Sequence, residues 1–123
     1  MKDLYRTIIL GITICLVAWL TSGCGVSNWN NRDKWFLAGS TVAMGADMYT
    51  TDRAIKAGYV EAGFPQYVIG EQPSSTDLML WGIGTQLLIM WWADRNEEWR
   101  PWLLGITGGV HAGAAVYNWQ EVE

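Results

Sequence analysis

The sequence predicts an all-α protein, a small bundle of three short helices behind an apolar N-terminal segment. Three long stretches that are typical of helices carry this prediction: Trp35–Gly58, Leu78–Ala93 and Pro101–Trp119. No internal repeat or low-complexity tract interrupts them. At 123 residues, the chain has room for one domain.

Helix-start signals precede the second and third segments. Pro73–Asp77 supplies a hydroxyl N-cap and an acidic residue for the first turn of the second helix. Asn96–Glu98, with Pro101 close behind, is expected to do the same for the third helix. The connection Tyr59–Thr76 is long for a helix hairpin and rich in apolar side chains. We therefore expect it to fold back on the bundle or to lie in a membrane interface.

The N-terminal residues have the pattern that is typical of an export signal. A charged stub, Met1–Arg6, precedes the apolar stretch Thr7–Leu20, and the small residues Ser22–Gly23 stand directly before Cys24. This arrangement resembles the lipobox of bacterial lipoproteins, which implies cleavage before Cys24 and a covalent lipid on its thiol. The predicted organisation is then a signal peptide (1–23), a polar tether (24–34) and a helical domain (35–123). If cleavage does not occur, the N-terminal segment is a fourth helix.

The lipoprotein resemblance implies a location in the bacterial cell envelope. Gly25 stands where lipoproteins of this type that are retained at the inner membrane commonly carry Asp. Helical spans, however, fit an outer membrane poorly. The inner membrane is therefore the favoured location, and the outer membrane is the alternative.

Charge and cysteine content exclude several partners. The formal net charge is −4 and no basic cluster is present, which argues against nucleic-acid binding. The cysteines are Cys15, inside the leader, and Cys24, so the mature chain has no spare thiol for a disulfide or a thiolate metal site. No cofactor is predicted beyond the lipid on Cys24.

The composition favours a membrane. Half of the residues are hydrophobic and 16% are charged, against about a quarter charged in ordinary soluble domains. The uncharged runs within the three segments are Trp35–Ala46, Leu78–Ala93 and Pro101–Val110. Each is shorter than the roughly 20 residues of a spanning helix, so the helices are expected to be embedded in the membrane or adjacent to it. Tryptophans gather at the segment ends, as in an aromatic belt: Trp35, Trp91, Trp92, Trp102 and Trp119.

Glycines in the third segment predict close helix packing. Gly105, Gly109 and Gly113 repeat every four residues and form a small-residue ridge on one helix face. Such a ridge lets a second backbone approach closely. Because His111 lies on nearly the opposite face, this helix is expected to touch protein on both sides. The sequence therefore predicts a homo-oligomer or a larger membrane-protein complex.

Each helix also carries polar residues that would face the inside of the bundle. The predicted polar set is Asp47, Thr50, Thr51, Gln86, His111 and Asn118. If the first and third helices run parallel, Asp47 and His111 lie at similar depth, and a buried carboxylate gains from such a partner. We therefore predict a network of Asp47, Gln86 and His111.

This network has three possible roles. The first is structural, fixing how the helices register. The second is proton or ion relay, because ionisable residues inside membranes often mark such paths. The third is metal binding, for which Asp47, Glu61 and His111 would have to converge from different segments, since the chain has one histidine and no ligand-type spacing. No metal site is predicted from this pattern.

The stretch Asp47–Thr51, followed by Gly58–Glu61 and Pro65 and later by His111 and Asn118, resembles a pattern in small multi-span bacterial membrane proteins of unknown function. In that family an Asp followed by a Thr pair ends one helix, and a His with a later Asn marks the last helix. The resemblance implies a helical membrane fold and no particular activity.

The predicted function is that of a structural, accessory or assembly subunit anchored to the membrane. The chain contains no serine elbow, phosphate loop or second histidine, so no enzymatic activity is predicted. The alternative is a membrane protein that handles ions or protons, or that depends on a metal, through Asp47 and His111.

Overall fold

The computed structural model describes residues 26, 28–61 and 63–123, and the helices are its regular elements within them. This confirms the all-α class. In chain order the helices are α1 (Asn31–Lys56), α2 (Phe64–Ile69), α3 (Ser75–Arg95) and α4 (Arg100–Val122). The expectation of three helices was incomplete, because the connection before α3 contains the short helix α2.

Residues 1–30 and 31–123 form two separate compact units. In the described part of the first unit, the Trp29 N–H donates to the Val26 carbonyl over 3.1 Å, closing a turn whose two end residues are buried. The predicted signal peptide and the predicted lipidation site at Cys24 lie outside the described residues.

Helix α1 begins at Asn31, four residues before the predicted start, so the tether prediction was wrong for residues 31–34. Its first turn carries Asp33 and its last turn carries Arg53 and Lys56, as the helix dipole favours. Its buried residues recur at alternating spacings of three and four, with one longer step after Met44: Asp33, Leu37, Ser40, Met44, Thr50 and Ala54. One face of α1 therefore looks inward along its whole length.

The predicted cap of α3 is confirmed. Ser74 is the N-cap, its hydroxyl accepts a hydrogen bond from the Asp77 N–H, and the Asp77 carboxylate accepts one from the Ser74 N–H, which completes a capping box. The predicted cap of α4 was wrong. Asn96 instead ends α3, where its side-chain amide donates to the Trp92 carbonyl. The N-cap residue of α4 is Trp99, which makes no side-chain cap hydrogen bond.

Helices α1 and α4 run parallel and in register, as predicted. Arg100 at the start of α4 contacts Asp33 at the start of α1, and further along Asn118 contacts Thr51 at the same sequence separation of 67. Helix α3 is antiparallel to both, because its first turn meets Asp52 through Ser75 and its last turn meets Arg100 through Ala93. The helical unit therefore has two ends. The first end holds the starts of α1 and α4, and the second end holds their final turns.

The connection between α1 and α3 folds back on the helices, as expected. The Tyr59 hydroxyl donates to the Glu121 carbonyl near the end of α4, over 2.7 Å. Glycines bound α2 on both sides, Gly63 at φ 79° and Gly70 at φ 87°, a backbone region that disfavours residues with a Cβ. The connection is thereby held beside the second end of the unit.

The buried apolar core is small, and many large apolar side chains are exposed. Exposed aliphatic residues occupy the middle of the three long helices: Val42, Leu87, Leu88, Ile106 and Val110. Among the residues that the structure describes, no helix combines the length and the hydropathy needed to cross a membrane.

Candidate functional site

The centre of the candidate site is a contact between Asp47 on α1 and His111 on α4. The His111 Nδ1 lies 2.7 Å from the Asp47 Oδ2. The two side chains are partly buried, with exposed fractions of 19% for Asp47 and 21% for His111. The parallel register of α1 and α4 brings the two residues to the same depth, as the sequence predicted.

The contact with Asp47 assigns the tautomer of His111. With Asp47 as an ionised carboxylate, which only accepts hydrogen bonds, the Nδ1 that faces it carries a proton. In the neutral imidazole the other ring nitrogen, Nε2, then presents a lone pair. Nε2 makes no hydrogen bond within the described residues, so it is available to a donor on a bound molecule.

Two further predicted residues extend the pair into a chain. The Thr51 hydroxyl donates to the Asp47 Oδ1 over 3.3 Å, and the Asn118 amide donates to the Thr51 hydroxyl oxygen over 2.9 Å. Thr50 instead bonds locally, its hydroxyl donating to the Asp47 backbone carbonyl over 3.1 Å. Four side chains of the predicted set, from two helices, thus form one hydrogen-bonded line.

Gln86 does not belong to that line. Its amide nitrogen donates to the hydroxyl oxygens of Ser40, over 3.3 Å, and Thr41, over 3.0 Å, while its buried carbonyl oxygen has no hydrogen-bond partner within the described residues. The sequence predicted one network of Asp47, Gln86 and His111, but the structure forms two separate clusters. The sequence predicted which face of α3 turns inward, but it did not fix where each residue of that face lies along α1. In the structure, Gln86 lies beside Ser40 and Thr41, nearer the start of α1 than Asp47.

A partly open cavity of about 640 Å³ lies beside the Asp47–His111 line. Its walls come from α1, α3, α4 and the connection. The carboxylates that line it belong to Asp47, Glu61 and Glu121, and no lysine or arginine is among its lining residues. Apolar and aromatic side chains make up much of the remaining surface, including Met48, Ile55, Leu78, Trp81, Val110 and Tyr117.

The structure does not gather a metal site. Glu61 lines the same cavity as Asp47 and His111, but no group of three metal-ligating side chains forms anywhere in the described part of the chain. The three residues that the sequence offered as ligands therefore lie around one cavity without forming a coordination shell.

The predicted glycine ridge is not the surface on which the described helices pack. A Cβ on Gly109 or Gly113 would meet nothing within 4 Å, and one on Gly105 would make ordinary contact with the Phe36 ring. The close approach is instead at Gly108, where a Cβ would lie 3.2 Å from the Ser40 Cα. The face of α4 that meets α1 is thus turned by one residue from the predicted ridge.

A buried ion pair at the first end of the unit was missed. The Arg100 Nη1 lies 3.3 Å from the Asp33 Oδ2, and their side chains are 6% and 1% exposed. The guanidinium also donates to the carbonyls of Ala93 and Asp94 at the end of α3. The spacing of Asp33, Ser40 and Asp47 by seven residues was the signal that could have placed Asp33 on the inward face.

Comparison with protein-family models, with curated proteins and with solved structures gave no match for this chain. The resemblance of Asp47–Thr51, His111 and Asn118 to a small membrane-protein family therefore stays a prediction, as does the lipobox at Cys24.

Proposed function

We propose that the protein is a small lipoprotein of the bacterial cell envelope that is embedded in or against the membrane and serves as a structural, accessory or assembly subunit. One observation carries the proposal: an outward-facing, uncharged aliphatic band lies between two aromatic ends. Large contiguous patches of exposed apolar surface are rare on soluble monomers. In a bilayer, by contrast, aliphatic side chains meet hydrocarbon and aromatic rings lie at the interface.

The aromatic residues sort to the two ends of the helical unit. At the first end the exposed rings are Trp35, Phe36, Trp91, Trp92, Trp99 and Trp102. At the second end they are Tyr49, Tyr59, Phe64, Tyr67, Tyr117 and Trp119. Between these ends the only ionisable side chains on α1 and α4 are Asp47 and His111, which contact each other.

The height of the band is compatible with a bilayer. At 1.5 Å of rise per residue, Trp35 and Tyr49 lie about 21 Å apart along α1, and Trp102 and Tyr117 about 22 Å apart along α4. The hydrocarbon core is about 30 Å thick. A shorter apolar span is accommodated by local thinning of the bilayer or by oligomerisation, at a modest cost in free energy.

The proposal includes a lipid on Cys24 and association with other protein. The open face of Gly109 leaves room for a second backbone against α4. A homo-oligomer or a membrane-protein complex would use that face, and the inner membrane is the favoured location.

Cysteine labelling in native membranes tests the embedding. The proposed lipidation occupies Cys24, and Cys15 would leave with the leader. A single cysteine introduced at Val42, Leu88 or Ile106 would then be the only free thiol. All three positions are exposed in the described chain. We expect a water-soluble maleimide to miss them in membranes and to label a cysteine at Glu98. Labelling of all four at equal rates would overturn the proposal.

Intact mass tests the anchor, and crosslinking tests the assembly. Mature protein should lack Met1–Gly23 and carry acyl mass on Cys24, and an unmodified full-length chain would refute the anchor. Crosslinking in membranes should capture higher species, and Gly109→Leu should remove them. A strictly monomeric protein would contradict the assembly role.

A second candidate function rests on the Asp47–His111 pair. Both residues line the cavity, and a paired carboxylate and imidazole inside a membrane would suit proton or ion handling. Asp47→Asn and His111→Ala separate the two candidates. A structural role predicts that stability and assembly fall together, whereas a relay predicts a loss of ion or proton flux from a folded, assembled protein.

A further inference from the structure

The cavity beside Asp47 and His111 has the size of a ligand site, and membrane anchoring gives it no role. Its volume of about 640 Å³ falls within the roughly 300–1,000 Å³ that small-molecule sites occupy. Such sites combine apolar walls with a few placed polar groups, and this cavity has both.

The charges around the cavity decide the sign of the charge that a ligand would carry. Its three carboxylates come from different elements, and no lysine or arginine lines it. The nearby cations on α1 are engaged elsewhere, since the Arg53 guanidinium stacks 5.0 Å from the Trp119 ring and Lys56 pairs with Asp52. A lining that has carboxylates and no lysine or arginine disfavours an anion and attracts a cation.

The Asp47–His111 pair decides the chemistry of the ligand head. Thr51 and His111 hold the Asp47 carboxylate in place, and in neutral His111 the free Nε2 accepts a hydrogen bond. Toward a ligand, the Asp47 carboxylate and the Nε2 of neutral His111 are thus both acceptors. An ammonium group supplies donors and a positive charge together, and Trp81 and Tyr117 add aromatic surfaces that attract cations.

The remaining walls decide the body of the ligand. Met48, Ile55, Leu78 and Val110 present aliphatic surface along the cavity. An alkyl chain matches these walls, because burying methylene groups there removes apolar surface from water. A small polar amine would leave them uncovered.

We infer that this cavity binds an organic cation with an ammonium head on an alkyl body, the head at the Asp47–His111 pair and the body along the apolar walls. This inference goes beyond the proposed membrane role and does not rest on it. A result against either leaves the other standing, because maleimide shielding at Leu88 does not report on the cavity.

Calorimetric titration of the detergent-solubilised mature protein with octylammonium tests the inference. Octanol and octanoate, which have the same chain length, are the comparison ligands. Titrations into detergent alone correct for partitioning. We expect saturable binding of one octylammonium per chain, about tenfold or more tighter than octanol, because a hydrogen bond to a charged group adds to the shared burial of the chain. Octanoate should bind most weakly.

Two pairs of variants locate the binding. Asp47→Asn should weaken octylammonium binding about tenfold while leaving octanol unchanged. Its control is Asp52→Asn, the same charge change five residues later on α1, at a carboxylate that does not line the cavity. Gly113→Leu should fill the cavity and weaken both ligands. Its control is Gly84→Leu, which is equally unhindered and lies outside the cavity.

Three results would overturn the inference. The first is octylammonium that binds no more tightly than octanol or octanoate, and the second is equal loss of binding in Asp47→Asn and Asp52→Asn. The third is an unchanged affinity in Gly113→Leu. Helical circular dichroism of each variant identifies any that fail to fold, and the Gly113 pair keeps the test decisive if Asp47→Asn is among them.

Discussion

Replacing Arg100 with methionine should destabilise the helical unit more than any surface substitution. Arg100 ties three helix ends together, because its guanidinium contacts Asp33 on α1 and two backbone carbonyls at the end of α3. The Asp33 side chain is 1% exposed. Arg100→Met removes the buried guanidinium from this carboxylate and leaves the mostly exposed Arg32 guanidinium, 3.3 Å from the Asp33 Oδ1, beside it. Breaking a buried pair from one side costs about 3–5 kcal/mol.

Thermal unfolding, followed by helical circular dichroism in one detergent, measures this cost. In a domain of this size each 1 kcal/mol shifts Tm by about 4–8 °C, so Tm should fall by roughly 12 °C or more. The matched control is Lys56→Met, which breaks the ion pair with Asp52 through a mostly exposed lysine. Exposed pairs contribute about 0–1 kcal/mol, so its Tm should change little.

The double variant Asp33→Leu/Arg100→Met separates charge burial from packing. It removes both charges, so it should be more stable than Arg100→Met alone, since two apolar residues carry no desolvation cost. The reasoning fails if Arg100→Met costs no more than Lys56→Met. It also fails if the double variant is as unstable as the sum of its single variants, because the two sites would then be independent.

Two other predictions concern neighbouring glycines and one helix cap. Gly109→Ala should stabilise α4 by about 1 kcal/mol through helix propensity. The Gly108→Ala variant should be less stable than Gly109→Ala by about 1 kcal/mol or more, because its Cβ presses on the Ser40 backbone. Equal Tm values for the two variants would contradict this packing. Hydrogen bonds from the Ser74 hydroxyl and then its backbone N–H lower the pKa of Asp77 below 3.8. Its stabilising contribution is therefore complete above that pH and is lost as the pH falls through the lower folded value; Asp77→Asn should remove this part of the acid dependence of Tm, and identical acid profiles would contradict the cap.

Local signals in the sequence were reliable where neighbouring residues interact. Ser74 and Asp77 predicted the capping box because both partners lie within one helical turn. The prediction failed at Asn96, which lies between two helices. An asparagine in that position is suited either to end α3 or to begin α4. Its side chain bonds the Trp92 carbonyl, so the choice depended on which helix end its backbone conformation reached.

The site was predictable in part for the same reason. Asp47, Thr51, His111 and Asn118 were found because helical periodicity puts each pair on one face, and parallel helices bring the faces together. Gln86 was misplaced because periodicity gives the face of a residue on α3 but not its depth against α1. Asp33 was missed because it was assigned to a polar tether, where a carboxylate needs no partner.

The sequence by itself determined the helical class, the inward polar faces and the apolar character of the outer surface, since these depend on residue spacing along one helix. The tertiary structure alone decided that Gly108 rather than Gly109 meets α1, that Arg100 closes on Asp33, and that a cavity opens beside His111. Adjacent residues on a helix point about 100° apart. Rotating α4 by one residue would exchange the glycine in contact, and only the packing of all three long helices fixes that rotation.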